Sequence, residues 1–360
     1  MTAPTLALTV PVLLGDDIGP DVVGATTLVL GEAARRCGVE LRFQELPAGI
    51  AAHATHGSTL PDATLRELER HPGWILGPVG NALYPKDDVA YRNPSGHLRT
   101  AYELYANVRP ARSLPGVRTR WDGVDLVVVR ENTEGFYADR NLREGNGELR
   151  PSDDMVLSVR VVTRTASLRV ARQAFELARR RAGRRKVTIV HKANVLRKGD
   201  GLFVACCREV ARDYPEIEVD DLHVDAAAMH LAMRPDAFDV IVTTNMFGDI
   251  LSDEAAGLVG GLGLAPGLNV GDSHAMAQAV HGSAPDIAAT RSADPIAEIL
   301  SGSMLLGWLA ERVEEPRLAG AAAAVDAAVA RALEDGRTRT PDLGGTATTA
   351  TMAEAIAGAL

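Results

Sequence analysis

Asp249 and Asp253 lie four residues apart in N-M-F-G-D-I-L-S-D, directly after the apolar run Val240-Ile241-Val242. The run predicts a buried strand, and the segment after it the first turns of a helix. Residues i and i+4 share a helical face, so both carboxylates point the same way. They stand where a strand hands over to a helix, the usual ligand position in an open α/β sheet. Two hard oxygen ligands with room for water and substrate suit Mg2+ or Mn2+ better than zinc. Acids near a helix start also complement its dipole, so the pair alone carries two readings. Arg99 and Arg109 fall in L-R-T-A-Y-E-L-Y-A-N-V-R-P, and Arg130 in V-V-V-R-E-N-T-E-G-F-Y at the end of a predicted strand. Guanidinium captures carboxylates in bidentate fashion, although one strand-end arginine is commonly just solvated. Tyr137, shortly after Arg130, is a phenol able to move a proton. Lys192 follows the run R-K-V-T-I-V-H. Near a metal and several arginines its amine is tuned for general-base work; otherwise it is a surface lysine in a βα loop. Asp225, in L-H-V-D-A-A-A-M-H-L, is a third candidate metal carboxylate.

The elements that must position these groups alternate along the chain. Residues 6–14, 41–46, 74–76, 124–129, 186–190 and 239–243 predict strands. Amphipathic stretches 21–36, 167–182 and 201–213 predict helices, and the Ala-rich stretch 319–333 a surface or packing helix. This rhythm predicts an α/β fold with a largely parallel sheet. Residues 140–154, rich in Gly, Asn and charge, break it, as a solvated loop or as an arm reaching another subunit. No G-x-G-x-x-G follows a predicted strand and opens a helix, so the ordinary dinucleotide fingerprint of a Rossmann fold is missing. Gly257, Gly260, Gly261 and Gly263 follow a helix instead and suit close packing or a helix end.

Composition narrows the class of function. With 360 residues, 46% hydrophobic and 24% charged, the chain suits a globular enzyme of one large or two medium domains. A net charge of −9 argues against nucleic acid or an anionic membrane surface as the main partner. An anionic ligand must then be held by a local cluster of Arg or Lys. No apolar run is long enough to span a membrane, and Met1-Thr2-Ala3-Pro4 opens no signal-like segment. Cys37, Cys206 and Cys207 form no disulfide framework, so a reducing cytoplasm is expected, with the adjacent pair packed in a helix.

With these residues in view, the chain resembles the metal-dependent β-decarboxylating dehydrogenases: isocitrate, 3-isopropylmalate, homoisocitrate and tartrate dehydrogenases. The likeness runs from G-D-D-I-G-P-D at Gly15 to T-P-D-L-G-G-T-A at Thr340. Between them stand Y-A-N-V-R-P, V-R-E-N-T-E-G, H-K-A-N-V, N-M-F-G-D-I-L-S-D and H-G-S-A-P-D-I. The resemblance implies a two-domain isocitrate/isopropylmalate dehydrogenase-like fold around a largely parallel sheet. Residues 1–104 with 260–360 would form the large NAD-binding domain. Residues 105–259 would form the small dimerisation and metal/substrate domain, with its arm around 140–154. By the same likeness Arg99, Arg109 and Arg130 clamp the two malate carboxylates, and Asp225, Asp249 and Asp253 hold Mg2+ or Mn2+. Lys192 takes the hydroxyl proton and Tyr137 returns a proton after CO2 departs. Lys192 and Asp225 would come from the neighbouring subunit of a homodimer.

His281, Gly282, Ser283, Ala284, Pro285, Asp286 and Ile287 resemble the family's cofactor loop. NADP-dependent members carry Lys and Tyr where Asp286 and Ile287 stand. Aspartate accepts from ribose hydroxyls and repels a 2′-phosphate, so NAD is the expected cofactor. Two departures stand out: Asp17 replaces a glycine of the first loop, and Asp294 an asparagine near the adenine. Asp tolerates left-handed backbone better than most residues, whereas Asp294 keeps an acceptor and loses a donor. Isopropylmalate enzymes place leucines just before the residue matching Arg99. Here Asn93 and Ser95 stand there, against which an isopropyl group would forfeit most of ~2 kcal/mol of transfer energy. The expected reaction is therefore oxidative decarboxylation of a 3-substituted malate with a polar γ-group, isocitrate- or homoisocitrate-like. Isopropylmalate and tartrate are the alternatives. A non-catalytic regulatory subunit would have lost some of Tyr137, Lys192 or the three aspartates, and none is lost.

Overall fold

Alternation within the central strands explains why they read as unbroken apolar runs. Val127, Val129, Val187, Ile189, Val240 and Val242 are buried on one face, and Leu126, Val128, Val190 and Ile241 on the other. A sheet covered on both sides has no polar face to alternate with. The computed structural model of the chain describes residues 6–80, 84, 92–137, 141, 142, 145, 147–181 and 183–360.

The strands are β1 (Leu6–Leu13), β2 (Val39–Glu45), β3 (Gly73–Leu76), β4 (Ala106–Arg112), β5 (Asp125–Glu131), β6 (Glu148–Ser152), β7 (Met155–Ser158), β8 (Lys186–His191), β9 (Glu218–His223), β10 (Val240–Thr243), β11 (Leu268–Val270) and β12 (Ala275–Ala277). Ten of them form one sheet in the order β2-β1-β3-β12-β11-β4-β5-β10-β8-β9, while β6 and β7 make a separate antiparallel ribbon. Within the sheet β2, β1, β3 and β12 are mutually parallel, as are β5, β10, β8 and β9. Antiparallel pairings through β11 and β4 join the two blocks, which therefore run in opposite directions.

One continuous core covers the first face. It gathers α1 (Gly19–Arg36), α5 (Arg164–Arg180), α6 (Gly199–Ala211), α9 (Ile296–Arg312), α10 (Pro316–Asp335) and α11 (Thr349–Gly358). The second face carries two cores. Leu231 of α7 (Val224–Met233) and Leu251 of α8 (Asn245–Leu258) cover β5, β8 and β10. Leu68 of α3 (Asp62–Leu68) and Leu98 of α4 (Pro94–Ala101) cover β1 and β3, with α2 (Gly49–His56) alongside. A cleft opens between α4 and α8.

The predicted strands and helices all form, with their ends displaced by a few residues. In the irregular stretch 140–154, residues 140, 143, 144 and 146 lie outside the described residues. The remainder leads into β6, whose partner β7 runs on to Ser158. That ribbon exposes Leu149, Met155, Val156 and Leu157. Gly260 and Gly261, at φ 123° and 115°, follow the end of α8, in line with a helix-end role. Asp17 adopts φ 50°, so the first loop keeps its left-handed residue without glycine. Cys206 and Cys207 are free thiols buried on α6, serving packing. Among the described residues no helix is long and apolar enough to cross a membrane.

Candidate active site

Period two along β5 puts Arg130 on the face of Val128, and antiparallel register sets Arg130 beside Asn107 of β4. Arg109, two residues beyond Asn107, shares that face, so two guanidinium groups meet under α8. Both are buried, Arg130 at 2% and Arg109 at 6% exposure, a state tolerable only with full pairing. Arg130 donates through Nε and Nη2 to Asn245 Oδ1 at 3.0 and 2.7 Å, and through Nη1 to Asp249 Oδ1. Arg109 donates to Asn107 Oδ1 at 3.2 Å, Ser252 Oγ at 2.7 Å and Asp249 Oδ1 at 3.1 Å. Tyr137 donates to the other oxygen, Asp249 Oδ2, at 3.1 Å. Asp249 thus anchors three side chains, one from β4, one from β5 and one from the segment that follows β5.

Gly248 permits this approach, since a Cβ there would stand 2.7 Å from both Arg130 Cβ and Cγ. The first turn of α8 carries no acid, so Asp249 and Asp253 are not complements to the helix dipole. Burial alone would raise the Asp249 carboxyl; Arg130 and Arg109 overcome it and hold it below its ordinary value. Asp253 is the reverse case: burial raises it, Arg109 at 3.8 Å opposes, and the Asp249 charge adds to the rise. Burial, reinforced by Arg130, pushes the Arg109 guanidinium down to about 10.

The opposite wall comes from α4 and the segment after β12. Asn93 caps α4, its Oδ1 accepting the Gly96 N–H at 3.0 Å. Ser95 Oγ and Arg99 Nη2 both donate to Gln278 Oε1, at 2.7 and 3.1 Å. The expected three-arginine cluster is thus divided, with Arg109 and Arg130 on one wall and Arg99 on the other. Between the walls lies about 630 Å3, a volume within the range of small-molecule sites.

Lys192 and Asp225 do not line this cleft. They pair with each other at 2.5 Å, Lys192 just beyond β8 and Asp225 in the first turn of α7. The Lys192 backbone N–H donates at 2.6 Å to Asp200, a fully buried carboxylate that also pairs with Arg160 at 2.5 Å. Arg160 in turn donates to Thr244 Oγ1, at the head of α8, at 3.0 Å. Among the described residues no group of three or more His, Cys, Asp or Glu side chains lies within reach of one metal ion.

The loop from His281 to Ile287 starts at the cleft, which His281 and Gly282 line. Ile18 N–H donates to Ser283 O at 3.2 Å, and Ala284 and Ile287 pack on Ile18 and Val22, tying the loop to the first loop and α1. Pro285 and Asp286 are exposed. A Cβ at Gly15 would stand 2.2 Å from Pro78 O, so that loop needs glycine at its closest approach. Asp294 is buried, accepts the Ile296 N–H at 2.8 Å, and is pushed well above its ordinary value by burial and then by Asp342.

Sequence reasoning missed Asn245, Ser252 and Gln278, each paired to an arginine of the cleft, and the Asp200–Arg160 pair behind Lys192. Asn245 stands in the motif that drew attention to Asp249, four residues before it and so on the same helical face. Gln278, three residues before His281, had no signal of its own.

The comparisons with known proteins identify the family. Residues 9–356 match the family model described as isocitrate/isopropylmalate dehydrogenase. The chain is 44% identical over 349 residues to 3-isopropylmalate dehydrogenase of Archaeoglobus fulgidus, covering 97% of this chain and 98% of that one. It is 44% identical over 356 residues to isocitrate/homoisocitrate dehydrogenase of Thermus thermophilus, covering 99% of each. The crystal structure of isocitrate dehydrogenase from Methylococcus capsulatus superposes with a TM-score of 0.86 at 44% identity, covering 98% of both chains. Fold, cleft and likeness over nearly the whole length converge: the chain belongs to the isocitrate/isopropylmalate dehydrogenase family of NAD(P)-dependent β-decarboxylating dehydrogenases.

Proposed function

We propose that the protein oxidises and decarboxylates a 3-substituted malate with a polar γ-group, isocitrate- or homoisocitrate-like, using NAD and Mg2+ or Mn2+. The observation that carries this reading is the cleft itself, with Arg99 facing Arg109, Arg130, Tyr137 and Asp249 across a space of substrate size. The guanidinium groups would bind and orient the malate carboxylates. Tyr137 lies on the cleft and would donate a proton to C3 as carbon dioxide leaves. Lys192 would accept the C2 hydroxyl proton.

Asp249 and Asp253, one turn apart on α8, offer hard oxygen donors suited to a divalent cation. Asp225 would be the third ligand. Because it and Lys192 pair away from the cleft within one chain, their use at this site supports a homodimer in which each subunit lends them to the other. On the cofactor loop His281 Nε2 is buried without a partner among the described residues, as fits a loop completed by a nucleotide. Exposed Asp286 would face the ribose and disfavour a 2′-phosphate. When bound, NAD supplies the hydride acceptor at C2 and the cation the charge that eases loss of the β-carboxylate. Residues 1–104 with 260–360 would carry the cofactor, and 105–259 the metal and the subunit contact.

3-Isopropylmalate has the support of the Archaeoglobus relative and of Val79 and Val280 in the cleft lining. Buried Ser95 and Gln278 at the α4 end argue for a polar substituent instead. The test is a panel of 2-hydroxy acids (isocitrate, homoisocitrate, 3-isopropylmalate, tartrate and malate) assayed for NADH and CO2 with and without Mg2+. Cation-dependent release of both products is expected, greatest with isocitrate or homoisocitrate. Release of neither from any of the five would refute the reading.

A further inference from the structure

Arg160 lies outside the cleft, yet it touches three segments that serve it. Its Nη1 donates to Asp200 Oδ1 at 2.5 Å and its Nη2 to Thr244 Oγ1 at 3.0 Å. Asp200 is fully buried, and its other oxygen accepts the Lys192 backbone N–H at 2.6 Å. Thr244 is the N-cap of α8, five residues before Asp249, and its side chain makes no capping hydrogen bond. A threonine there ordinarily accepts an N–H from the first turn of its own helix. This one accepts from Arg160 instead. The guanidinium carbon also stands 5.8 Å from the ring centre of Phe136, the neighbour of Tyr137, and 5.5 Å from that of Phe247 in the first turn of α8. At such distances an aromatic face attracts a cation.

Charge and burial hold this bridge in one place. The Arg160 side chain is 10% exposed, and among the described residues it is the one cation that pairs with Asp200. Parting the two would strand a buried charge. A planar fork with nitrogens on two acceptors fixes orientation as well as charge, which a single ammonium does not. The turn that carries Lys192 and the head of α8 are therefore set by the same guanidinium.

On the functional reading above, Lys192 serves the partner's site, whereas Tyr137 and Asp249 serve the chain's own. We infer that Arg160 is a positioning residue that joins the two active sites of a dimer, setting the Lys192 that a subunit lends by the head of the α8 that it keeps. The inference rests on the shared-site part of that reading. Contiguous hydrogen bonds and packed side chains are the physical route for coupling between sites. A displacement of α8 at one site would move Arg160, then Asp200, then the lysine that the other site uses. Reaction rate is steeply sensitive to such small misplacements.

The experiment uses purified hybrids of an Asp249→Asn chain with a Lys192→Met chain. Such a hybrid holds one live site, which takes Lys192 from the first chain and α8 with the arginine clamp from the second. Thr244→Val added to the first chain then alters a helix that the live site does not use. It removes one acceptor of Arg160 and leaves Asp200 paired. With whichever malate of the panel turns over best, kcat is expected to fall about threefold or more while KM stays within about twofold, because the clamp is untouched. Arg160→Lys in the first chain, whose one nitrogen cannot hold Asp200 and Thr244 together, should do the same and decides the matter if the valine variant does not fold. A fall in kcat of less than about threefold in a folded hybrid would overturn the inference. A hybrid inactive before either change would instead remove the shared-site reading, and the inference with it.

Discussion

Glu298 offers a perturbation whose size follows from the fold. It sits fully buried on α9, its Oε2 accepting the Ala279 N–H at 2.8 Å, and Oε1 has no partner among the described residues. One hydrogen bond does not replace hydration of a carboxylate, and burial pushes this carboxyl from its ordinary 4.5 up to about 8. At 1.36 kcal/mol per pH unit, that rise amounts to ~5 kcal/mol against the ionised folded form. Between those two values the folded chain holds a proton that the unfolded chain has released, so stability falls as pH rises through the window. Glu298→Gln keeps an oxygen for Ala279 and cannot ionise. Its stability relative to the unaltered protein should be near parity at pH 4.5 and grow steadily, to several kcal/mol by pH 8.5. Melts of both proteins at half-unit pH steps would show Tm curves that converge in acid and separate in base. Parallel curves across that range would refute the argument.

Three further outcomes follow from the geometry. Mixing inactive Lys192→Met protein with inactive Asp249→Asn protein should restore NADH formation, because a hybrid dimer with shared sites contains one site free of both lesions; no recovery after proven subunit exchange would exclude sharing. The unaltered chain should prefer NAD over NADP by a large factor in kcat/KM, and Asp286→Lys with Ile287→Tyr should narrow it; equal efficiency with both cofactors would sink that assignment. Gly248→Ala, with its Cβ driven to 2.7 Å from Arg130, should raise the substrate KM and cost about 1–3 kcal/mol of stability; an unchanged KM would mean that α8 and Arg130 can separate without harm.

Much of this arrangement was legible in residue order, for physical reasons that differ by element. The β5, β8 and β10 strands announced themselves because both their faces are buried, and α8 because its acids follow such a strand. The β4 strand did not: Asn107, Arg109 and Pro110 interrupt its apolar residues, the first two on the face it shares with Arg130. The exposed edge strand β9 and the three-residue strands β11 and β12 carry too little pattern to register. Arg99, Arg109, Arg130, Asp249 and Tyr137 were found through long motifs, and the structure brings them to one cleft. Their partners were not. Ser95 and Gln278 are 183 residues apart, and only the placement of β12 beside β3 brings them into contact. That placement is a property of sheet order, which no local spacing encodes.

The same placement has a consequence for the newborn chain. β3 closes on β12 with Trp74 opposite Met276, so about 200 residues must be translated after β3 before its neighbour exists. At roughly 5–20 residues per second the ribosome takes about 10–40 s over that stretch. Throughout it β3 presents an open edge to solvent, while the strands from β4 to β10 emerge and can pair among themselves. The middle of the polypeptide is thus able to settle before its beginning. Nascent chains arrested at residue 265 should yield to protease within the first 76 residues while β5, β8 and β10 resist. Protection of β1 and β3 at that length would show that they fold without β12.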